Sequence, residues 1–211
     1  MITLLSLALS LLPATASTSD ARCQTDLIHS HSRASLPASC RSLGRLRLGE
    51  PIGLATSVLG APDARTMAAN GAETLAWIVP RTLNHALQRR PVTAHQLKYG
   101  VVYVVARNGR IVSIRDESGG LAPNLGFAGL KAGDAVGRAD TLFGRPQVSR
   151  AGDYRSYPAL PIAIHTDDEG TTIEGFDIAE RSADLVGGEA RGEPQKDGTG
   201  MVQALRLRFG R

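Results

Sequence analysis

The chain is poor in cysteine, aromatics and lysine, and each shortage narrows what it can be. Its two cysteines, Cys23 and Cys40, are too far apart for the C-x-x-C pair that redox chemistry favours. One tryptophan, four tyrosines and four phenylalanines leave little material for an aromatic-rich binding face. No apolar run approaches the roughly 20 residues needed to cross a bilayer, so no transmembrane span is expected. Also missing are a G-x-S-x-G elbow, a G-x-x-x-x-G-K-[ST] phosphate loop, an H-E-x-x-H pair and a Gly-rich turn between strand and helix. No catalytic residue and no cofactor are therefore expected. Lysine occurs at only three positions against twenty-one arginines, so the net charge of +4 is carried by guanidinium groups.

What is present begins with an apolar stretch, Ile2 to Leu12, followed by Pro13 and Ala14-Thr15-Ala16. This resembles a secretory signal cut after Ala16, and it directs the protein to the periplasm or outside the cell. In an oxidising compartment a single cysteine pair is most simply a disulfide. Cys23 to Cys40 would then staple a polar N-terminal segment and constrain the unfolded chain by about 3 kcal/mol. Arg22 precedes Cys23, where lipoprotein processing requires a small residue, so direct lipid anchoring is not expected.

The most informative feature is a phrase that occurs twice. Leu46 to Pro62 (LRLGEPIGLATSVLGAP) aligns without a gap on Leu130 to Pro146 (LKAGDAVGRADTLFGRP), with Leu46/Leu130, Gly49/Gly133, Gly53/Gly137, Ala55/Ala139, Gly60/Gly144 and Pro62/Pro146 identical. Each copy predicts a short helix. Glu50 or Asp134 is placed to cap its start, Pro51 suits a first helical position, and Gly60 or Gly144 suits the left-handed residue after its end. Ile52, Ala55 and Leu59, and likewise Val136, Ala139 and Phe143, form one apolar stripe, and a helix this short needs a partner to lean on. Gly53 and Gly137 inside the helices imply a close backbone approach to a sheet.

The sequence after each helix supplies strands: 75–79, 99–106 and 110–115 in the first half, then 154–157, 162–166, 171–178 and 202–209 in the second. Asn108-Gly109 between two β-branched runs signals a tight hairpin, and Asp167-Asp168-Glu169-Gly170 reads as a solvated turn. The expected fold is α+β, two tandem units each with a short helix packed on a small antiparallel sheet, and the two sheets can pair edge to edge. The expected organisation is a signal over 1–16, a disulfide-stapled segment over 17–42, a first repeat over 43–118, a linker over 119–129 and a second repeat over 130–211.

Three groups are candidate sites. His29-Ser30-His31 would present both imidazoles to one face of a strand, as a metal site needs, but Asp26 is the only nearby carboxylate, and solvated histidines are the better reading. His85, His95 and His165 stand isolated. Residues 80–98 interrupt the repeat pattern and carry Arg81, Arg89, Arg90 and Lys98 with no acid, a patch suited to an acidic protein surface or anionic lipid headgroups. Trp77, Tyr99 and Tyr103 could join that patch as an aromatic anchor. Nucleic acid is not an expected partner, since no stacking-aromatic motif accompanies the charges.

The repeated Leu-x-x-Gly-[Glu/Asp], short helix, [Leu/Phe]-Gly-x-Pro and following strands resemble the SmpA/OmlA (BamE-type) envelope module. In being duplicated the chain is also similar to the β-lactamase inhibitor protein. The matching positions are Gly49, Gly60, Pro62, Trp77, Gly109 and Ile111, then Gly133, Gly144, Pro146, Tyr157 and Gly170, over about residues 43–116 and 127–209. The resemblance implies a non-catalytic protein that binds another envelope or secreted protein through its sheet face or loops. Its narrower form is an inhibitor of an exported hydrolase. All the matched positions are scaffold positions, so none implies a functional site.

Overall fold

The computed structural model describes residues 18–29, 35–79, 100–122, 125–150 and 152–185. Its helices are α1 (Thr18–His29), α2 (Gly53–Leu59) and α3 (Val136–Phe143). A two-stranded ribbon, β1 (Ser42–Leu43) and β2 (Leu46–Arg47), precedes α2. After α2 come β3 (Ala64–Met67), β4 (Ala72–Val79), β5 (Gly100–Arg107) and β6 (Arg110–Glu117). After α3 come β7 (Gln147–Val148), β8 (Tyr154–Tyr157), β9 (Ile162–Thr166) and β10 (Ile173–Ala179). The fold is α+β, and the eight strands after α2 and α3 make one antiparallel sheet in the order β3-β4-β5-β6-β10-β9-β8-β7. The four strands after each helix therefore stay together, and the two sets meet where β6 pairs with β10.

The repeated phrase adopts the same local geometry in both places. The Gly49 amide donates to Ile111 O at 2.7 Å while the Ile111 amide donates to Glu50 O at 2.8 Å. In the second half the Gly133 amide donates to Ile173 O at 2.8 Å and the Ile173 amide to Asp134 O at 2.9 Å. Gly49 and Gly133 have φ of 83° and 89°, and Gly60 and Gly144, after the helices, have 83° and 93°. Those values favour glycine because a Cβ is strained there. One aromatic per half ties the helix end to the sheet. Trp77 Nε1 donates to Gly60 O at 2.9 Å, and the Tyr157 hydroxyl donates to Asp140 Oδ1 of α3 at 2.8 Å.

Three details of the helices differ from expectation. Glu50 and Asp134 are not N-caps: α2 starts at Gly53 after Ile52, α3 starts at Val136 after Ala135, and neither start has a side-chain cap. The backbones of Glu50 and Asp134 are instead committed to β6 and β10, which holds them outside the helices. Pro51 bridges to Arg110 and does not open the helix. Gly53 and Gly137 meet no close neighbour, since a Cβ at either would find nothing within 4 Å. The close approaches lie at the sheet. A Cβ on Gly175 would stand 1.7 Å from Asp116 O, and one on Gly100 would stand 2.2 Å from Ser118 Cα.

One apolar core fills the space between the helices and the front face of the sheet. It takes Ala55 from α2, Val136, Ala139 and Phe143 from α3, and Trp77, Val104, Ile114, Ile164 and Phe176 from alternate strand positions. Alternation sends residues i and i+2 of a strand to the same face, which is why these strand residues recur at every second place. The N-terminal segment joins this core through Cys23, Leu27, Leu36 and Cys40, and the Cys23 to Cys40 disulfide is present and buried. Thus the segment expected to be merely a polar staple contains α1, which docks when Gln24 Nε2 donates to Ala128 O at 2.6 Å. Residues 119–129, with linker composition, place Ala122, Leu125, Phe127 and Ala128 in the same core. Phe127 packs against Phe143 of α3 and Phe176 of β10, with ring centroids 5.7 and 6.3 Å apart.

Candidate functional site

Trp77 is fully buried on the front face, and Tyr103, at 8% exposure, belongs to the opposite face with Ala76, Ile78 and Val101. The register explains the separation: Trp77 pairs with Val102 and Ala76 with Tyr103, so Trp77 and Tyr103 must point to opposite sides. They cannot form one exposed aromatic patch. Arg81, Arg89, Arg90, Lys98 and Tyr99 lie outside the described residues, as do residues 1–16, His31 and the strand expected over 202–209. His29 ends α1, exposed, with Nδ1 2.8 Å from Thr25 O; the helix displaces the strand on which a His-x-His pair would share a face. Among the described residues no group of three His, Cys, Asp or Glu side chains could hold a metal ion, and no helix is long and apolar enough to cross a membrane.

The ends of residues 80–99 are fixed by the sheet. Val79 and Gly100 are register partners at the last rung of β4 and β5, so a twenty-residue excursion leaves and re-enters the sheet at one point. The corresponding connection in the second half runs from Tyr157 to Ile162, also register partners, and closes through residues 158–161. There the Leu160 amide donates to Tyr157 O at 2.8 Å. The two halves therefore differ in the length of this connection.

A second group was not foreseen. On the back face, where β6 meets β10, Asp177 pairs with Arg115 and is wholly buried. His165 on β9 places Nε2 3.1 Å from Asp177 Oδ1, the Tyr154 hydroxyl on β8 donates to Asp177 Oδ2 at 3.3 Å, and Arg115 Nε lies 3.7 Å from the same oxygen. Arg115 also pairs with Glu117. The Tyr154 ring meets the His165 ring edge-on at 5.1 Å between centroids. Opposite His165 in the ladder stands Gly175, and the Asp116 carbonyl occupies the place its Cβ would take. That close approach puts a second carboxyl beside the group, held by Ser118, whose amide donates to Asp116 Oδ1 at 3.0 Å.

Burial pushes the Asp116 carboxyl up to about 6, against the hydrogen bonds from Ser118 and the charge of His165. Burial alone would lower His165, but the Asp177 carboxylate and its hydrogen bond outweigh that and raise it above its ordinary value. An imidazole in this position holds its proton because the charged form is paired. The group thus holds a buried carboxylate between two cationic side chains drawn from both halves of the sheet. Sequence reading treats His165 as isolated because Asp177, Arg115 and Tyr154 are far from it along the chain. A polar residue at alternate positions of otherwise apolar strands, as at Asp177 within Phe176 to Ile178, was the only available signal.

Three further ion pairs lock the periphery. Asp184, in a short turn after β10, takes Arg107 Nη2 at 2.9 Å and Arg181 Nε at 2.7 Å. Arg155 of β8 donates through Nη1 to Asp140 of α3 at 3.0 Å. Asp167 accepts from the amides of Thr171 and Thr172 at 2.7 and 3.1 Å and from both hydroxyls, which makes 167–170 a solvated turn as expected.

No protein-family model matches the sequence, and no curated protein matches it. The structure is similar in part to the crystal structure of a cysteine-rich secretory protein (SAV1118) from Staphylococcus aureus subsp. aureus Mu50, with 12% sequence identity and a TM-score of 0.40. That likeness covers 64% of this chain and 45% of the other.

Proposed function

We propose that this chain is a non-catalytic protein-interaction module of the bacterial cell envelope, exported to the periplasm or beyond. The observation that carries the reading is the unequal pair of hairpins: twenty residues between β4 and β5 against four between β8 and β9. The longer one bears Arg81, Arg89, Arg90 and Lys98 and no acid, and it springs from a rung fixed by backbone hydrogen bonds. Loops on a rigid sheet concentrate binding residues, and one-signed charge steers an oppositely charged surface. The partner is a protein with an acidic surface.

The test uses the mature, disulfide-bonded protein with crosslinking in envelope extracts, then binding to the recovered partner. A saturable complex that weakens at least tenfold in the Arg81→Glu, Arg89→Glu, Arg90→Glu triple variant supports the reading. Failure to recover a partner, or a complex indifferent to those changes, overturns it. Binding to anionic vesicles alone, with no protein partner, assigns the loop to a membrane surface. A narrower form, inhibition of an exported hydrolase such as a β-lactamase, draws support from the single sheet built of two helix-led halves. A panel of exported hydrolases showing no inhibition at micromolar protein removes that form.

A further inference from the structure

The two halves of the sheet are joined by the short pairing of β6 with β10, where only Arg115/Asp177, Ile114/Ile178 and Ser113/Ala179 are in register. The first of these three rungs is the buried charged group. Asp177 is held from one side by Arg115 of the first half and from the other by His165 and Tyr154 of the second. Among the described residues the titratable and charged groups facing this pair are Arg115, Asp116 and Glu117 of β6, Tyr103 of β5 as register partner of Arg115, and Tyr154 of β8. Asp177 and Glu117 therefore share Arg115, Asp177 has His165 as its second cation, and Asp116 feels the charge of His165 from beside the group.

We propose that the β6 to β10 joint is a proton-responsive seam, closed firmly when His165 is charged and loosened when it is neutral. With the imidazolium present, the fully buried Asp177 carboxylate stands between two largely covered cations. When the proton leaves, Arg115 alone remains for Asp177 and Glu117, and removing one partner from a buried charged group is far costlier than at a surface. The cost falls on the rung that joins the halves. The pairing of β4 with β5, which runs over eight rungs on the first half and carries no such group, is unaffected. The Asp177 carboxylate holds the His165 proton above the ordinary histidine range, so the response sets in as the pH rises past that range.

The experiment is amide hydrogen exchange on the mature, disulfide-bonded chain from pH 6.5 to 8.5, above the range in which Asp116 changes charge, corrected for the intrinsic rate. The expected result is an opening equilibrium for β6 and β10 amides that rises about tenfold with pH while that of β4 and β5 amides stays constant. In His165→Gln, which keeps a polar side chain without a proton to lose, that rise disappears. Equal pH dependence in both strand pairs, or a rise that persists in His165→Gln, overturns the proposal. Should His165→Gln not fold, the imidazole of the unmodified chain is titrated by NMR: a value above that of a free histidine supports the seam, and one at or below it refutes it.

Discussion

Replacing Gly175 by alanine tests the central feature of the sheet. The new Cβ would meet Asp116 O at 1.7 Å and Asp116 C at 2.8 Å, whereas ordinary contact begins at 3.4 Å. The obstacle is backbone, so no side chain can swing away, and β10 must move off β6 by roughly the 1.7 Å shortfall. A displacement that large takes an amide-to-carbonyl distance from about 2.9 Å to well past the useful limit. Overpacking a filled site ordinarily costs about 1–3 kcal/mol, and loss of the seam rungs puts this change at about 3 kcal/mol or more. For a chain of this size that corresponds to a fall in Tm of roughly 6–12 °C. Gly53→Ala and Gly137→Ala serve as controls of opposite sign. Nothing lies within 4 Å of either new methyl, so each should stabilise by about 0.4–1 kcal/mol through the unfolded chain. Urea unfolding of all three variants, followed by circular dichroism and by the fluorescence of the one tryptophan, measures the differences. If Gly175→Ala unfolds within 1 kcal/mol of the parent, the steric argument fails; if the controls destabilise, the helices do approach the sheet at those residues.

Stability should peak in mildly acidic solution. Asp116 and His165 bind protons more tightly folded than unfolded, so their contribution is complete at low pH and is lost as pH rises, for Asp116 through about 6 and for His165 above that. Asp167, held below the carboxylate range by hydrogen bonds from Thr172 and Thr171, acts in reverse. Asp184 does the same, since the bonds from Arg181 and Arg107 outweigh its burial. Their contribution disappears as pH falls below about 4, so the urea midpoint should be highest between about pH 4 and 6, and a flat profile from 4 to 8 would contradict this. Reducing the Cys23 to Cys40 bond should cost about 3 kcal/mol and release α1 to protease before the sheet; unchanged digestion would show that α1 docks without it. Trp77→Phe should cost about 1 kcal/mol for the lost bond to Gly60 O, and Trp77→Ala about 3–5 kcal/mol, both read from denaturant midpoints.

Local punctuation was legible in the chain. Asn108 and Gly109, with φ of 52° and 73°, form the turn that an Asn-Gly pair between β-branched runs announces. Strands β8 and β9 run over the residues that alternation indicated, and the stripe of Val136, Ala139 and Phe143 is buried. The caps were misread because carboxylates beside a glycine suit a turn as well as a helix start, and only the pairing to β6 and β10 decides between them. Strands β3 and β7 went unread because edge strands of two to four residues, mostly exposed, leave almost no periodicity. The side that Trp77 faces was not legible because a strand residue's side depends on the register of its neighbours.

Taken alone, the sequence determined the helix-then-strands order of each half, the glycines that must turn with positive φ and the cysteine pair able to bridge. These rest on interactions between residues close along the chain, where spacing and side-chain chemistry suffice. Tertiary structure alone decided that the two halves share one sheet, that Ala122, Leu125, Phe127 and Ala128 are core, and that Arg115, Tyr154, His165 and Asp177 meet. Those contacts depend on which strand edge finds which. That choice is made by the joint burial of a whole face, and no single stretch of sequence contains it.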